Sequence, residues 1–213
     1  MELDTVINKY TDPESNNRDS IVIVLHEIYG VNKHIATTTE RFRQKGFAAE
    51  CPDFTGLAKP FTYDCQQEAY QHFIQNVGFT EAARQVLSHV DRVKREGYRK
   101  VILCGFSIGA TVAWLLSEDK SIDGVIGFYG SRIRDYPGIN PHCPTLLLFP
   151  TYEESFNVTS FATSLKKERV MVMVLEGSHG FADPFSSCYN EASCLKADIL
   201  VKAFLNNYSD QVY

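Results

Sequence analysis

Val101-Ile102-Leu103-Cys104-Gly105-Phe106-Ser107-Ile108-Gly109 is the stretch on which the fold turns. Val101 to Cys104 is an unbroken apolar run, the pattern of a strand buried on both faces. From Ile108 to Ser117 the apolar residues Ala110, Val112, Ala113 and Leu116 fit a helix. Strand and helix are joined by a tight turn with Ser107 at its apex and a glycine two residues to either side. G-x-S-x-G arises by chance on the order of once in ten chains of this length. The strand before it and the helix after it make it specific, because together they form the strand–turn–helix setting of a nucleophile elbow.

Outward from that turn, apolar runs alternate with helical patterns. Ile21–Leu25, Phe47–Glu50, Ile122–Phe128, Thr145–Phe149 and Val170–Leu175 read as strands. Asn32–Lys45, stopped by Gly46, reads as a helix, as do Tyr63–Asn76 and Ser155–Lys167. Thr80 is expected to cap a further helix that places Ala83, Val86, Leu87, Val90 and Val93 on one side and ends at Gly97. In the last helix Ala192, Leu195, Ile199 and Ala203 form the expected apolar stripe. Strands separated by helices of this length require parallel crossovers. The expectation is one α/β domain over residues 1–213, an open, mostly parallel sheet with helices on both faces. Met1–Ser20 has room for an edge strand or short hairpin.

Composition narrows the function classes. The chain has 213 residues, 44% of them hydrophobic and 22% charged, which is ordinary for a folded globular domain. Its formal net charge of −5 argues against nucleic acid or an anionic membrane as the partner and leaves a small-molecule substrate. Met1–Ser20 lacks the apolar run of a signal peptide, and no stretch approaches a membrane span, so the expected compartment is the cytoplasm. Cys51, Cys65, Cys104, Cys143, Cys188 and Cys194 would then be reduced thiols. Their scattered spacing gives no metal motif, and no metal or organic cofactor is expected.

A serine hydroxyl at such an elbow needs a base and the base needs a carboxylate. His179, in Glu176-Gly177-Ser178-His179-Gly180-Phe181, follows the last strand, where this sheet type keeps its reactive groups. His26, after the first strong strand, is the rival; the remaining histidines fall on predicted helices, near a helix start or in a Pro-flanked loop. In the order nucleophile, acid, histidine, the acid falls after Thr145–Phe149, as Glu153 or Glu154.

The run Val24-Leu25-His26-Glu27-Ile28-Tyr29-Gly30-Val31-Asn32, then Phe47-Ala48-Ala49-Glu50-Cys51-Pro52-Asp53, Phe128-Tyr129-Gly130 and His179-Gly180-Phe181, resembles the dienelactone hydrolase family from about Ile21 to Phe204. The resemblance implies a single-domain α/β-hydrolase fold without a large lid. It implies that Glu27 is a carboxylate beside the nucleophile that helps control its ionisation, and that the N–H groups of Ile28 and Ile108 form an oxyanion hole. An ungapped match through Leu147–Phe156 puts the family's aspartate on Glu154. Tyr70 and Phe73 match an aromatic pair lining the pocket. Type members carry cysteine where this chain has Ser107, so His179 must supply full general-base help. Two arginines that hold a substrate carboxylate in type members are Gln66 and Asp183 here, which argues against dienelactone itself as substrate. Arg132 and Arg134 read as solvated surface charges rather than as a replacement anchor. The function so implied is cleavage of a small ester, lactone or thioester through an acyl-serine. An acyltransferase with the same residues and a catalytically silent binding protein on the same fold are the alternatives.

Overall fold

A computed structural model describes residues 19–209; the hairpin or edge strand expected within Met1–Ser20 lies almost wholly outside them. Six strands, β1 (Ser20–Leu25), β2 (Ala48–Glu50), β3 (Lys100–Phe106), β4 (Gly124–Phe128), β5 (Thr145–Pro150) and β6 (Val170–Leu175), form one sheet in the order β2-β1-β3-β4-β5-β6. Every neighbouring pair is parallel. The helices are α1 (Lys33–Gln44), α2 (Gln66–His72), α3 (Gly78–Arg95), α4 (Ile108–Leu116), α5 (Val158–Ser164) and α6 (Glu191–Ser209). No helix among the described residues is long and apolar enough to cross a membrane.

The two-residue period of a strand divides the core. Ile21, Ile23 and Leu25 of β1 pack with Ala82, Val86, Val90 and Val93 of α3 and with Val112 and Ala113 of α4. Val22 and Val24 point the other way, into a cluster with Ile35 and Phe42 of α1 and Ala197, Val201 and Leu205 of α6. A third cluster joins Trp114 of α4 to Leu147, Phe149 and Val158 around β5 and α5. Burying both faces of β1 and β3 is why those strands are apolar throughout.

Three local expectations are corrected. The helix around Val86 starts at Gly78, preceded by a π-helical turn at Phe73–Val77, so Thr80 is an exposed residue inside it and not its cap. The α5 helix is shorter than expected and begins after Asn157, whose side chain accepts a hydrogen bond from Ser160 N–H. In α6 the buried row is Cys194, Ala197, Val201 and Leu205, while Leu195 and Ile199 are each 62% exposed. That helix carries two apolar rows, and only one meets the sheet.

Because the strands are parallel, Leu25, Phe106, Phe128, Pro150 and Leu175 end at the same edge of the sheet. The loops that follow them converge there, which gathers residues far apart in sequence.

Candidate active site

Ser107 sits between β3 and α4 with φ 52° and ψ −112°, a left-handed conformation costly for a residue with a Cβ. Two glycines make the turn possible by close approach. A Cβ on Gly105 would lie 2.3 Å from Gly109 O, and one on Gly109 would lie 2.3 Å from Leu25 O. Ser107 N–H is tied to Phe128 O at 3.0 Å, which fixes the apex against the end of β4.

Ser107 Oγ is 2.9 Å from His179 Nε2, and His179 Nδ1 is 2.8 Å from Glu153 Oε1. The loops carrying the latter two are stitched together. Thr151 N–H donates to Leu175 O, Tyr152 N–H donates to Gly177 O, and Thr151 Oγ1 both donates to Gly177 O and accepts from Gly177 N–H. With Tyr152 so held, the next side chain, Glu153, turns to the imidazole and is 6% exposed, whereas Glu154 is exposed. The expectation that Glu154 faces His179 is therefore corrected to Glu153.

His26 is fully buried and its ring is otherwise engaged. It stacks on Phe54 at 3.7 Å, Nδ1 donates to Glu27 O, and Nε2 lies between Phe54 N–H and the Asp53 carboxylate. It braces the loop after β1. In that loop Gly30 N–H closes a turn onto Glu27 O, and Ile28 faces the same cleft as Ile108. Ile108 is the first residue of α4, so no carbonyl one turn earlier in the helix accepts its N–H.

The cleft has a volume of about 800 Å³ and takes in Ser107, His179, Glu27, Tyr70, Arg132 and Asp183. Phe73 is not among its lining residues. It is fully buried with Ala69 four residues earlier, and it meets Phe79 edge to face at 5.1 Å. Tyr70 lies on a different side of the helix, 39% exposed, so the expected aromatic pair is divided between core and cleft. Arg132 and Arg134 are also not free surface charges. Both line the cleft, Arg132 reaches Tyr70 Oη at 2.6 Å and pairs with Asp135, and Arg134 lies over the Phe156 ring.

Glu27 is buried, and burial first, then the charge of Asp183, pushes its carboxyl up to about 7. Asp183 is buried as well; it accepts from Tyr63 Oη at 2.5 Å and from Phe185 N–H at 2.8 Å. Burial holds the His34 imidazole down to about 4, so that ring is neutral near pH 7. Sequence reasoning gave no role to His34, Tyr63 or Tyr129. Tyr129 has φ 40°, is fully buried, and sets its ring 5.0 Å from that of His179. Its one sequence signal is its place directly after a strand and before Gly130.

The dienelactone hydrolase family matches the chain over residues 7–209. An uncharacterized protein of Bacillus subtilis, YczH, is 32% identical over 185 residues, covering 85% of this chain and 90% of that protein. A carboxymethylenebutenolidase of Pseudomonas putida is 30% identical over 121 residues, 52% of this chain and 50% of that enzyme. Among solved structures, a dienelactone hydrolase-like promiscuous phosphotriesterase from metagenomic libraries superposes with a TM-score of 0.72 at 18% identity, covering 88% of this chain and 86% of that one. At that identity the likeness is one of fold.

Proposed function

We propose that this chain, which belongs to the dienelactone hydrolase family, is a serine hydrolase that opens a small ester, lactone or thioester through an acyl-Ser107 intermediate. Ester cleavage is the family's chemistry. The finer reading rests on one observation, the continuous contact Ser107 Oγ–His179 Nε2–Glu153 at 2.9 and 2.8 Å.

Ser107 Oγ attacks the carbonyl carbon while its proton passes to His179 Nε2. The imidazolium so formed is stabilised by the Glu153 carboxylate on its other nitrogen. The developing oxyanion is met by the Ile28 and Ile108 amides, at the positive end of α4. As the tetrahedral intermediate collapses, the bond to the leaving group breaks and His179 returns the proton to it. Water then attacks the acyl-serine, giving its proton to His179, and the second collapse releases the acid and restores Ser107. Serine, far less acidic than a thiol, depends on the base at each step.

A fluorophosphonate probe tests this reading. One covalent adduct on Ser107, lost in Ser107→Ala along with ester hydrolysis, is the expected result. No adduct, or an adduct on a cysteine, would count against it, and a catalytically silent binding protein would give the former.

A further inference from the structure

Beside the nucleophile lies a second group of side chains that the acyl-transfer steps do not use as acid or base. Glu27 comes from the loop after β1, His34 from the first turn of α1, and Asp183 from the loop after β6. One carboxylate oxygen of each acid and one imidazole nitrogen lie within 4.8 Å of one another, and all three residues are buried. Two carboxyls brought together out of water are costly unless a positive charge or a proton sits with them.

Among the described residues, two buried polar side-chain atoms lack a hydrogen-bond partner, His34 Nδ1 and Tyr129 Oη. Both border this group. Tyr129 Oη lies close enough to Glu27 to favour its ionised form, without the geometry of a hydrogen bond. His34 Nδ1 lies 3.6 Å from Asp183 Oδ2. That is too long for a hydrogen bond. It is close to the roughly 3.4 Å that separates two ligands of a tetrahedral ion whose bonds are about 2.1 Å long.

We propose that Glu27, His34 and Asp183 form a binding site for one divalent first-row transition-metal cation. Two carboxylates offset the charge of such an ion. The imidazole selects zinc, manganese or iron over magnesium or calcium, which take oxygen alone. For three atoms at most 4.8 Å apart there is a point no more than roughly 2.8 Å from every one of them, so an inward shift of less than an ångström closes the shell around an ion there. Glu27 and Asp183 line the cleft, which gives the ion a way in and leaves a coordination position facing substrate. Tyr63 Oη donates to Asp183 Oδ2, the same oxygen that lies 3.6 Å from His34 Nδ1, and so holds that carboxylate in place, as outer partners of metal ligands do. The site is assembled from three separate segments, so no spacing motif in the sequence announces it.

The test uses the full chain, stripped with a chelator and titrated with cobalt(II) in an optical cell and with zinc(II) in a calorimeter. One equivalent binds with micromolar or tighter affinity. Cobalt gives ligand-field bands of nitrogen and oxygen ligation, with no thiolate charge-transfer band. His34→Gln and Glu27→Gln each weaken binding at least about tenfold, and zinc raises the melting temperature of the parent but not of either variant. Ser107→Ala binds like the parent, so this result stands or falls apart from the acyl-serine reading. Three results would overturn the proposal: no saturable binding in the micromolar range, as for two carboxyls that share a proton; a thiolate band; or undiminished binding in both variants, which is an adventitious ion only.

Discussion

Glu153 Oε1 stands 2.8 Å from His179 Nδ1 and is shielded from solvent, while Glu154, its neighbour in the chain, is exposed. Glu153→Gln keeps the size of the side chain but takes the charge from the imidazolium's partner. It lowers kcat about 10²–10⁴-fold with KM little changed. Glu154→Gln stays within about threefold of the parent. Steady-state kinetics on one ester separates the two, and the reverse pattern would return the acid to Glu154.

Glu27 gives a pH signature in chelator-stripped protein. Its carboxyl is raised to about 7 in the fold, against about 4.3 in an unfolded chain. Between those values the native state holds a proton that the unfolded chain has released, so native stability falls as pH rises across this window. By pH 8 the loss is on the order of 3 kcal/mol. Glu27→Gln removes the slope and is the more stable protein at pH 8, and it changes the pH profile of kcat/KM. Thermal melts at pH 5 and pH 8 measure the first effect. Parallel stability curves for parent and variant would show that the carboxyl titrates normally.

Substrate charge follows from what lines the cleft. Glu27 and Asp183 lie near the nucleophile, and Arg132 is already paired with Asp135 and Tyr70. A substrate carboxylate brought to Ser107 is desolvated against like charge. In metal-free protein a neutral lactone is preferred over its carboxylate analogue by at least about tenfold in kcat/KM. A preference for the carboxylate would make Arg132 or Arg134 an anion anchor, and Arg132→Gln would then abolish it.

The elbow predicts a stability defect. A methyl at Gly109 meets Leu25 O at 2.3 Å and His26 O at 2.6 Å, both backbone atoms that cannot swing aside. Gly109→Ala pushes α4 off the end of β1 and costs about 2–4 kcal/mol in urea unfolding. Gly138→Ala, where a methyl meets nothing within 4 Å, is the control and stays within about 1 kcal/mol.

What the sequence made legible followed from strict periods. The doubly apolar β1 and β3 required cover on both faces, and the Gly105–Gly109 turn between strand and helix required Ser107 at its apex. His179 was legible because a parallel sheet brings its loops to one edge. Glu153 was not separable from Glu154, because their directions depend on hydrogen bonds from Thr151 and Tyr152 to a loop twenty-five residues away. Phe73 was misplaced for a similar reason: Tyr70 and Phe73 are near neighbours along the helix, but only Phe73 shares the buried side with Ala69. In α6 two apolar rows satisfied the same period, and only the position of the sheet chose between them.

The exposure of His179 sets the fate of the proposed acyl-enzyme. Its side chain is 41% exposed, so bulk water reaches the base directly. An alcohol or thiol acceptor would have to compete with water at full concentration. Partitioning therefore runs to hydrolysis, and added methanol should divert product to the methyl ester only in proportion to its concentration. The open base thus favours a hydrolase over a transferase by kinetics, although the two would share every catalytic residue.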